Sequence, residues 1–298
     1  MSQNIIGVDI GGTTYSSTLF DSKLNNISTS KKELIADYPS TNLFLKSLSS
    51  QILKLIKDNE RDDMIGVGVA CPGPLDSKNG IILETPNIQI LQNINLKEEL
   101  ESILNLPVYI ENDANLFALG EWFSNNGKNN EIFTGLTIGT GLGFGIVMNG
   151  KIYSGAHGLA AEYAISPIDR GNWEDRISIK AINQIAKKYF SNKELDPKDL
   201  FKMATNKDNN AIKVWDEFGS NLGIALSHFI NLIDPHRISI GGGISNAFIF
   251  FNKSMANTIR EHCPAYNKFN IDIFESSNKE LSSQLGAAVL VKDFYDKN

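Results

Sequence analysis

The chain contains two strand–loop–strand units built around glycine and threonine. One is GVDIGGTT at 7–14 and the other is TIGTGLGFG at 137–145, about 130 positions later. In each, a β-branched or apolar run ends in a glycine-rich loop and a second apolar run begins at once, the pattern of a tight β-hairpin. Two hairpins of one build, one in each half, predict two similar α/β halves. The GxGxG within GTGLGFG is not a dinucleotide fingerprint, because that fingerprint requires its glycines to open a helix and these open a strand. Small residues let backbone N–H groups approach phosphate oxygens, and threonine hydroxyls add donors. An ordinary hairpin turn is the second reading of either loop taken alone.

The remainder alternates strands and helices. Apolar residues from Leu43 to Ile56 recur at helical spacing and lead into the strand MIGVGVA, which stops at CPGP. A strand at 107–110 breaks at ENDAN, and a helix is predicted from Leu116 to Phe123. Between Asn209 and Asp234 the residues Trp215, Phe218, Leu222, Ala225, Phe229 and Leu232 recur in steps of three and four, marking a long amphipathic helix that Asp234-Pro235 ends. Arg237–Ile240 reads as a buried strand closing in GGGIS, followed by a helix to about His262, a strand near 270–274 and a last helix.

A net charge of −6 with scattered lysines argues against a nucleic-acid face. The two cysteines, Cys71 and Cys263, form neither a CxxC pair nor a site with histidine, which fits a reducing compartment. No run of about 18 apolar residues and no signal-peptide pattern is visible, so a cytoplasmic protein without a membrane role is expected.

Duplicated β-hairpin phosphate loops with Asp9 at the end of the first strand resemble the actin-like ATPase superfamily. GVACPGPLD at 68–76, TPN at 85–87, ENDANLFALGEW at 111–122 and LIDPHRISIGGGIS at 232–245 complete an ordered series similar to that of the ROK family of sugar kinases and sugar-sensing repressors. The resemblance covers nearly the whole chain. It implies a two-domain actin-like (ribonuclease H-like) α/β fold of hexokinase type. The smaller domain would take 1–117 and a C-terminal helix at 284–298, the larger one 118–283, and the active site would lie in the cleft between them.

Phosphorylating a sugar hydroxyl needs a base, two phosphate cradles, a metal bridging donor oxygens and a closed cleft. Asp113, between a strand and a helix and flanked by Asn112 and Asn115, suits the base, with a helix N-cap as its second reading. The resemblance makes Asp113 that base and assigns the sugar to Gly73, Asn87, Asn112, Glu162 and Glu174. It gives the donor phosphates to Gly11, Gly12, Thr13, Thr14, Thr140, Gly141 and Gly143, and the nucleoside to Gly242 and Gly243. Asp9 would face Mg2+ through water, because Mg2+ keeps part of its hydration shell.

Residues 155–178, GAHGLAAEYAISPIDRGNWEDRIS, depart from the family. The family carries a histidine and a cysteine-rich loop here that bind structural zinc. This chain has Ile165 at the histidine position and Asn172 in place of a cysteine, so no zinc is expected. Glu162 and Glu174 are retained, and Trp173 is expected to fill the shortened loop. The implied activity is ATP- and Mg2+-dependent phosphorylation of a hexose at its 6-hydroxyl, glucokinase-like, by a homodimer. N-acetylmannosamine or N-acetylglucosamine kinase, polyphosphate-using glucokinase and a non-catalytic sugar-binding protein are the alternatives. A repressor is disfavoured by the acidic charge and by a first hairpin that starts at Asn4, leaving no room for a winged helix.

Overall fold

A computed structural model describes residues 3–85, 88–191, 193–269, 271–278 and 281–297. The chain divides into two compact units, Met1–Gly127 with Glu280–Asn298, and Lys128–Lys279.

In the first unit, strands β1 (Asn4–Ile10) and β2 (Thr14–Phe20) form the first hairpin, extended by β3 (Asn26–Thr29) and by the short β4 (Glu33–Leu34), both beside β2. Helix α1 (Thr41–Asp58) leads to β5 (Met64–Cys71), which lies parallel to β1. Short strands β6 (Leu75–Asp76), β7 (Ile81–Ile82) and β8 (Ile94–Asn95) make a separate antiparallel sheet ahead of α2 (Leu96–Leu104). Strand β9 (Val108–Asn112) then joins β5 in parallel, and α3 (Asp113–Ser124) follows without a gap.

The period-2 alternation of β1 explains its two covers. Ile6, Val8 and Ile10 join Phe44, Leu48 and Ile52 of α1 on one face. Ile5 faces the other side, among Leu285, Ala288 and Val291 of α9 (Ser282–Tyr295), the helix contributed by the chain's end.

The second unit repeats the scheme. Strands β10 (Ile132–Ile138) and β11 (Leu142–Met148) form the second hairpin, with β12 (Lys151–Ile152) at its edge. Helices α4 (Ile179–Tyr189), α5 (Pro197–Thr205) and α6 (Asn209–Ile233) intervene before β13 (Arg237–Gly241), which is parallel to β10. Helices α7 (Phe248–His262) and α8 (Pro264–Lys268) precede β14 (Asp272–Glu275), parallel to β13. The order β2-β1-β5-β9 in one unit thus corresponds to β11-β10-β13-β14 in the other. The second core joins Trp215, Phe218 and Leu222 of α6 to Leu136 and Ile138 of β10 and Phe251 of α7.

The boundary drawn at 117/118 falls inside α3. That helix stays whole in the first unit because Gly120 lies against the start of α9 and the buried Glu121 accepts a hydrogen bond from Ser282 Oγ at 2.5 Å. The helix also starts three residues earlier than its apolar pattern indicates, because Asn112 supplies the cap. Among the described residues no helix is long and apolar enough to cross a membrane.

Candidate functional site

The parallel strands β1, β5 and β9 end at one sheet edge, where α/β proteins commonly bind ligands. Their register sets Asp9 beside Ala70, Ala70 beside Glu111, and Cys71 beside Asn112. The segments Asp9–Thr14, Cys71–Gly73 and Asn112–Asp113 therefore leave the sheet together. Cys71 is fully buried there, and its thiol is pushed up first by that burial and then by the negative charges of Asp113 and Asp9. Both expected carboxylates are thus close enough to the end of β5 to act on one group.

Asn112 is the N-cap of α3: its Oδ1 accepts from Ala114 N at 2.9 Å and from Asn115 N at 3.3 Å. Its amide group also stands 3.3 Å from where a Cβ on Gly73 would sit, so the two expected sugar-side residues are neighbours. Asp113 is consequently the first helical residue, and its Oδ1 accepts from Ala114 N at 2.8 Å. Glu111 fixes the strand end behind it, with Oε1 accepting from Asn112 N at 2.8 Å and from Asn115 Nδ2 at 3.1 Å. Asn87 lies outside the described residues.

The first hairpin loop is closed by Gly11 N donating to Thr14 O at 2.9 Å, which leaves Gly12 and Thr13 exposed at its tip. Behind it stands a group absent from the sequence reading. Glu33 Oε2 accepts from Tyr15 Oη at 2.6 Å, from Tyr38 Oη, and from Ser47 Oγ at 3.3 Å, while Gln51 Nε2 donates to Oε1 at 3.2 Å. Burial opposes the charge, but these hydrogen bonds outweigh it and hold the Glu33 carboxyl below its ordinary range. Because β4 pairs with Thr14 and Tyr15 and Ile35 N donates to Thr13 O at 2.9 Å, this cage supports the loop from behind.

In the second unit Gly139 N donates to Gly141 O at 2.9 Å across the second hairpin loop, and Thr140 and Gly141 are exposed. Gly143 is paired with Thr137, and Gly241 of the neighbouring β13 with Thr137 from the other side. Gly242 has φ +82°, and a Cβ there would fall 2.4 Å from Ile138 O, so only glycine lets this turn lie against the base of the hairpin. Gly243 faces open space. Helix α4 begins against the same loop, with Ile179 N donating to Gly139 O at 2.9 Å. A hollow of about 400 Å3 there is lined by Thr140, Ile179, Lys180, Asn183, Lys187 and others.

Residues 155–178 are held by packing and hydrogen bonds. Trp173, only 4% exposed, stacks on Tyr163 at 6.0 Å and meets His228 edge-on at 5.5 Å. Tyr163 Oη donates to Ala225 O at 3.0 Å. Asn172 caps the following turn, its Oδ1 accepting from Asp175 N at 3.0 Å while Asn172 N donates to Asp175 Oδ2 at 3.3 Å. Arg176 pairs with Asp169. Glu162 opens a single 3-10 turn after Ala161, which has φ +69°, and partial desolvation raises its carboxyl above the usual range. Ile165 is 62% exposed. Among the described residues no group of three or more His, Cys, Asp or Glu side chains is arranged to hold a metal.

The structure thus assembles two sets: Asp9, Gly11–Thr14, Gly73, Asn112 and Asp113 at one sheet edge, and Thr140–Gly143, Gly242, Gly243, Glu162 and Glu174 around the other hairpin and its following segment. The Glu33 cage and the α4 hollow were missed. A two-residue strand leaves no periodic signal, whereas Ile179, Ile182, Ile185 and Ala186 would have revealed α4.

The ROK family model matches residues 5–294. The chain is 29% identical to the glucokinase of Thermotoga maritima over 97% of each chain, and 28% identical to an N-acetyl-D-glucosamine kinase of Aliivibrio salmonicida over 83% of this chain and 86% of that one. A crystal structure of a ROK family glucokinase from Streptomyces griseus in complex with glucose and AMPPNP superposes with TM-score 0.80 at 25% identity, covering 97% of this chain and 99% of that one. The paired hairpin-led sheets are those of the actin-like ATPase fold, and the chain belongs to the ROK family.

Proposed function

We propose that this chain is an ATP-dependent hexose kinase of glucokinase type, with Asp113 as the general base. The observation that carries the reading is the placement of Asp113, half-buried, beside the Asn112 cap and at the sheet edge that also presents Asp9 and the Gly11–Thr14 loop. Its carboxylate would take the proton of the 6-hydroxyl as that oxygen attacks the γ-phosphorus of ATP. The bond from that phosphorus to the bridging oxygen breaks, and ADP leaves. Asn112, Gly73, Asn87, Glu162 and Glu174 would hold the sugar.

Thr13, Thr14, Thr140, Gly141 and Gly143 would cradle the donor phosphates, with Gly242 and Gly243 against the nucleoside. The hydroxyls and glycine-lined backbone of both loops fit phosphate oxygens. Hard carboxylate oxygen at Asp9 fits Mg2+, whose charge would neutralise the donor phosphates when bound. Zinc has no part in this reading, because Asn172 and Trp173 already hold the shortened segment together. It also places the enzyme in the cytoplasm as a homodimer.

One observation favours an N-acetylhexosamine as acceptor: Ile165, at the position of the family's histidine, offers an exposed apolar surface to an acetyl methyl. Initial rates with glucose, mannose, fructose, N-acetylglucosamine and N-acetylmannosamine, each with ATP or polyphosphate, decide between acceptors and donors. Turnover of none of these sugars by protein that still binds one would leave a non-catalytic sugar-binding protein.

A further inference from the structure

Glu174 touches the second hairpin loop directly. Its Oε2 accepts from Leu142 N at 2.9 Å, and the same oxygen stands 2.8 Å from where a Cβ on Gly141 would be. Its own backbone is fixed as well, because Glu174 N donates to Ala164 O at 3.0 Å and the preceding Trp173 is locked in the aromatic cluster. One end of the residue is therefore tied to the Glu162–Ile165 turn, and the other to the loop that carries Thr140 and Gly141.

We propose that Glu174 is a positioning residue for the donor loop, linking the segment that carries Glu162 to the hairpin expected to cradle the donor phosphates. The proposal rests on the kinase reading above. The Leu142 amide is the first donor after the loop tip, so a fixed acceptor on it sets the path of Thr140 and Gly141. A charged acceptor makes this a strong bond. A Cβ at residue 141 would displace this carboxylate oxygen from its place. Occupation of the sugar-side segment and order in the donor loop are thereby coupled through one side chain.

The test is a comparison of Glu174→Ala, Glu174→Gln and Gly141→Ala in the full-length enzyme. Steady-state kinetics would be run separately in ATP and in sugar, alongside calorimetric binding of AMPPNP. Glutamine can still present an oxygen to Leu142 N, so Glu174→Gln is expected to keep the Kd for AMPPNP within about threefold of wild type, whatever it costs in sugar affinity. Glu174→Ala is expected to raise the KM for ATP and the Kd for AMPPNP by about tenfold or more, as for loss of one hydrogen bond to a charged group, whereas both variants share whatever rise in sugar KM the loss of the carboxylate brings. Gly141→Ala, which pushes the carboxylate away, is expected to show the same loss of AMPPNP affinity and stands in if Glu174→Ala does not fold.

Sugar KM raised equally by Glu174→Ala and Glu174→Gln, with ATP and AMPPNP affinities unchanged, would overturn the proposal and leave Glu174 as a sugar ligand alone. Lower thermal stability with every KM unchanged would overturn it in favour of a purely structural contact. If wild type phosphorylates none of the sugars, the kinase reading fails, and AMPPNP affinity alone judges the role of Glu174 in the loop.

Discussion

Replacing Gly286 by alanine tests how the helix that carries Asp113 is held. Where α9 crosses α3, a Cβ on residue 286 would lie 1.9 Å from Leu116 O and 3.0 Å from Gly120 N. A carbon and a carbonyl oxygen rest at about 3.3 Å or more, so the helices must part by roughly 1.4 Å at the crossing. The obstacle is backbone, which cannot swing aside as a side chain can, and this puts the overpacking penalty near 3 kcal/mol, the upper part of its usual range. Alanine returns about 1 kcal/mol of helix propensity. The net loss is therefore about 2 kcal/mol, and separation also stretches the 2.5 Å hydrogen bond from Ser282 Oγ to the buried Glu121.

Urea unfolding followed by fluorescence, with amide exchange read on α3 and α9, measures this directly. Because Asp113 is the first residue of α3, the shift should also reach the site: a misplacement near 1 Å can cost about a hundredfold in rate, so kcat is expected to fall steeply in the folded fraction. A Gly286→Ala protein within about 0.5 kcal/mol of wild type, the range of an ordinary surface change, would refute the close-crossing argument.

Trp173→Ala should remove about 3–5 kcal/mol, the usual cost of deleting a buried indole, and should raise the ATP KM together with the sugar KM, because it loosens the segment that carries Glu162 and Glu174; thermal melts and initial rates check it. Glu33→Gln should destabilise the protein at neutral pH. The folded-state carboxyl lies below its ordinary value, so its contribution is full above the unfolded value and is lost as pH falls through the folded one. The stability gap between wild type and Glu33→Gln should therefore shrink on acidification, and a gap that widens instead would contradict the cage.

Much of the scaffold was legible because hairpins with glycine loops and long amphipathic helices write strong local patterns. Residues 4–20, 132–148 and 209–233 fold as their periodicity indicates. The β6–β8 sheet and β4 were not legible, since strands of two residues carry no alternation and form only through tertiary contacts. The start of α3 was misjudged because its capping residue, Asn112, is also the last residue of β9.

Trp173 fills its loop as its place in a shortened segment suggests, whereas the bond from Leu142 N to Glu174 joins residues 32 positions apart and left no trace in either motif. The Glu33 cage draws Tyr15, Tyr38, and Ser47 with Gln51 from three separate segments, which only the folded chain brings together.

The most direct test of the central claim is transfer of the ATP γ-phosphoryl group to the preferred sugar by wild type and by Asp113→Asn, with sugar affinity measured calorimetrically on both. The account predicts a wild-type kinase, a loss of about 100- to 10,000-fold in kcat for Asp113→Asn, and nearly unchanged sugar binding. Substantial turnover by Asp113→Asn would contradict the assignment of Asp113 as the base.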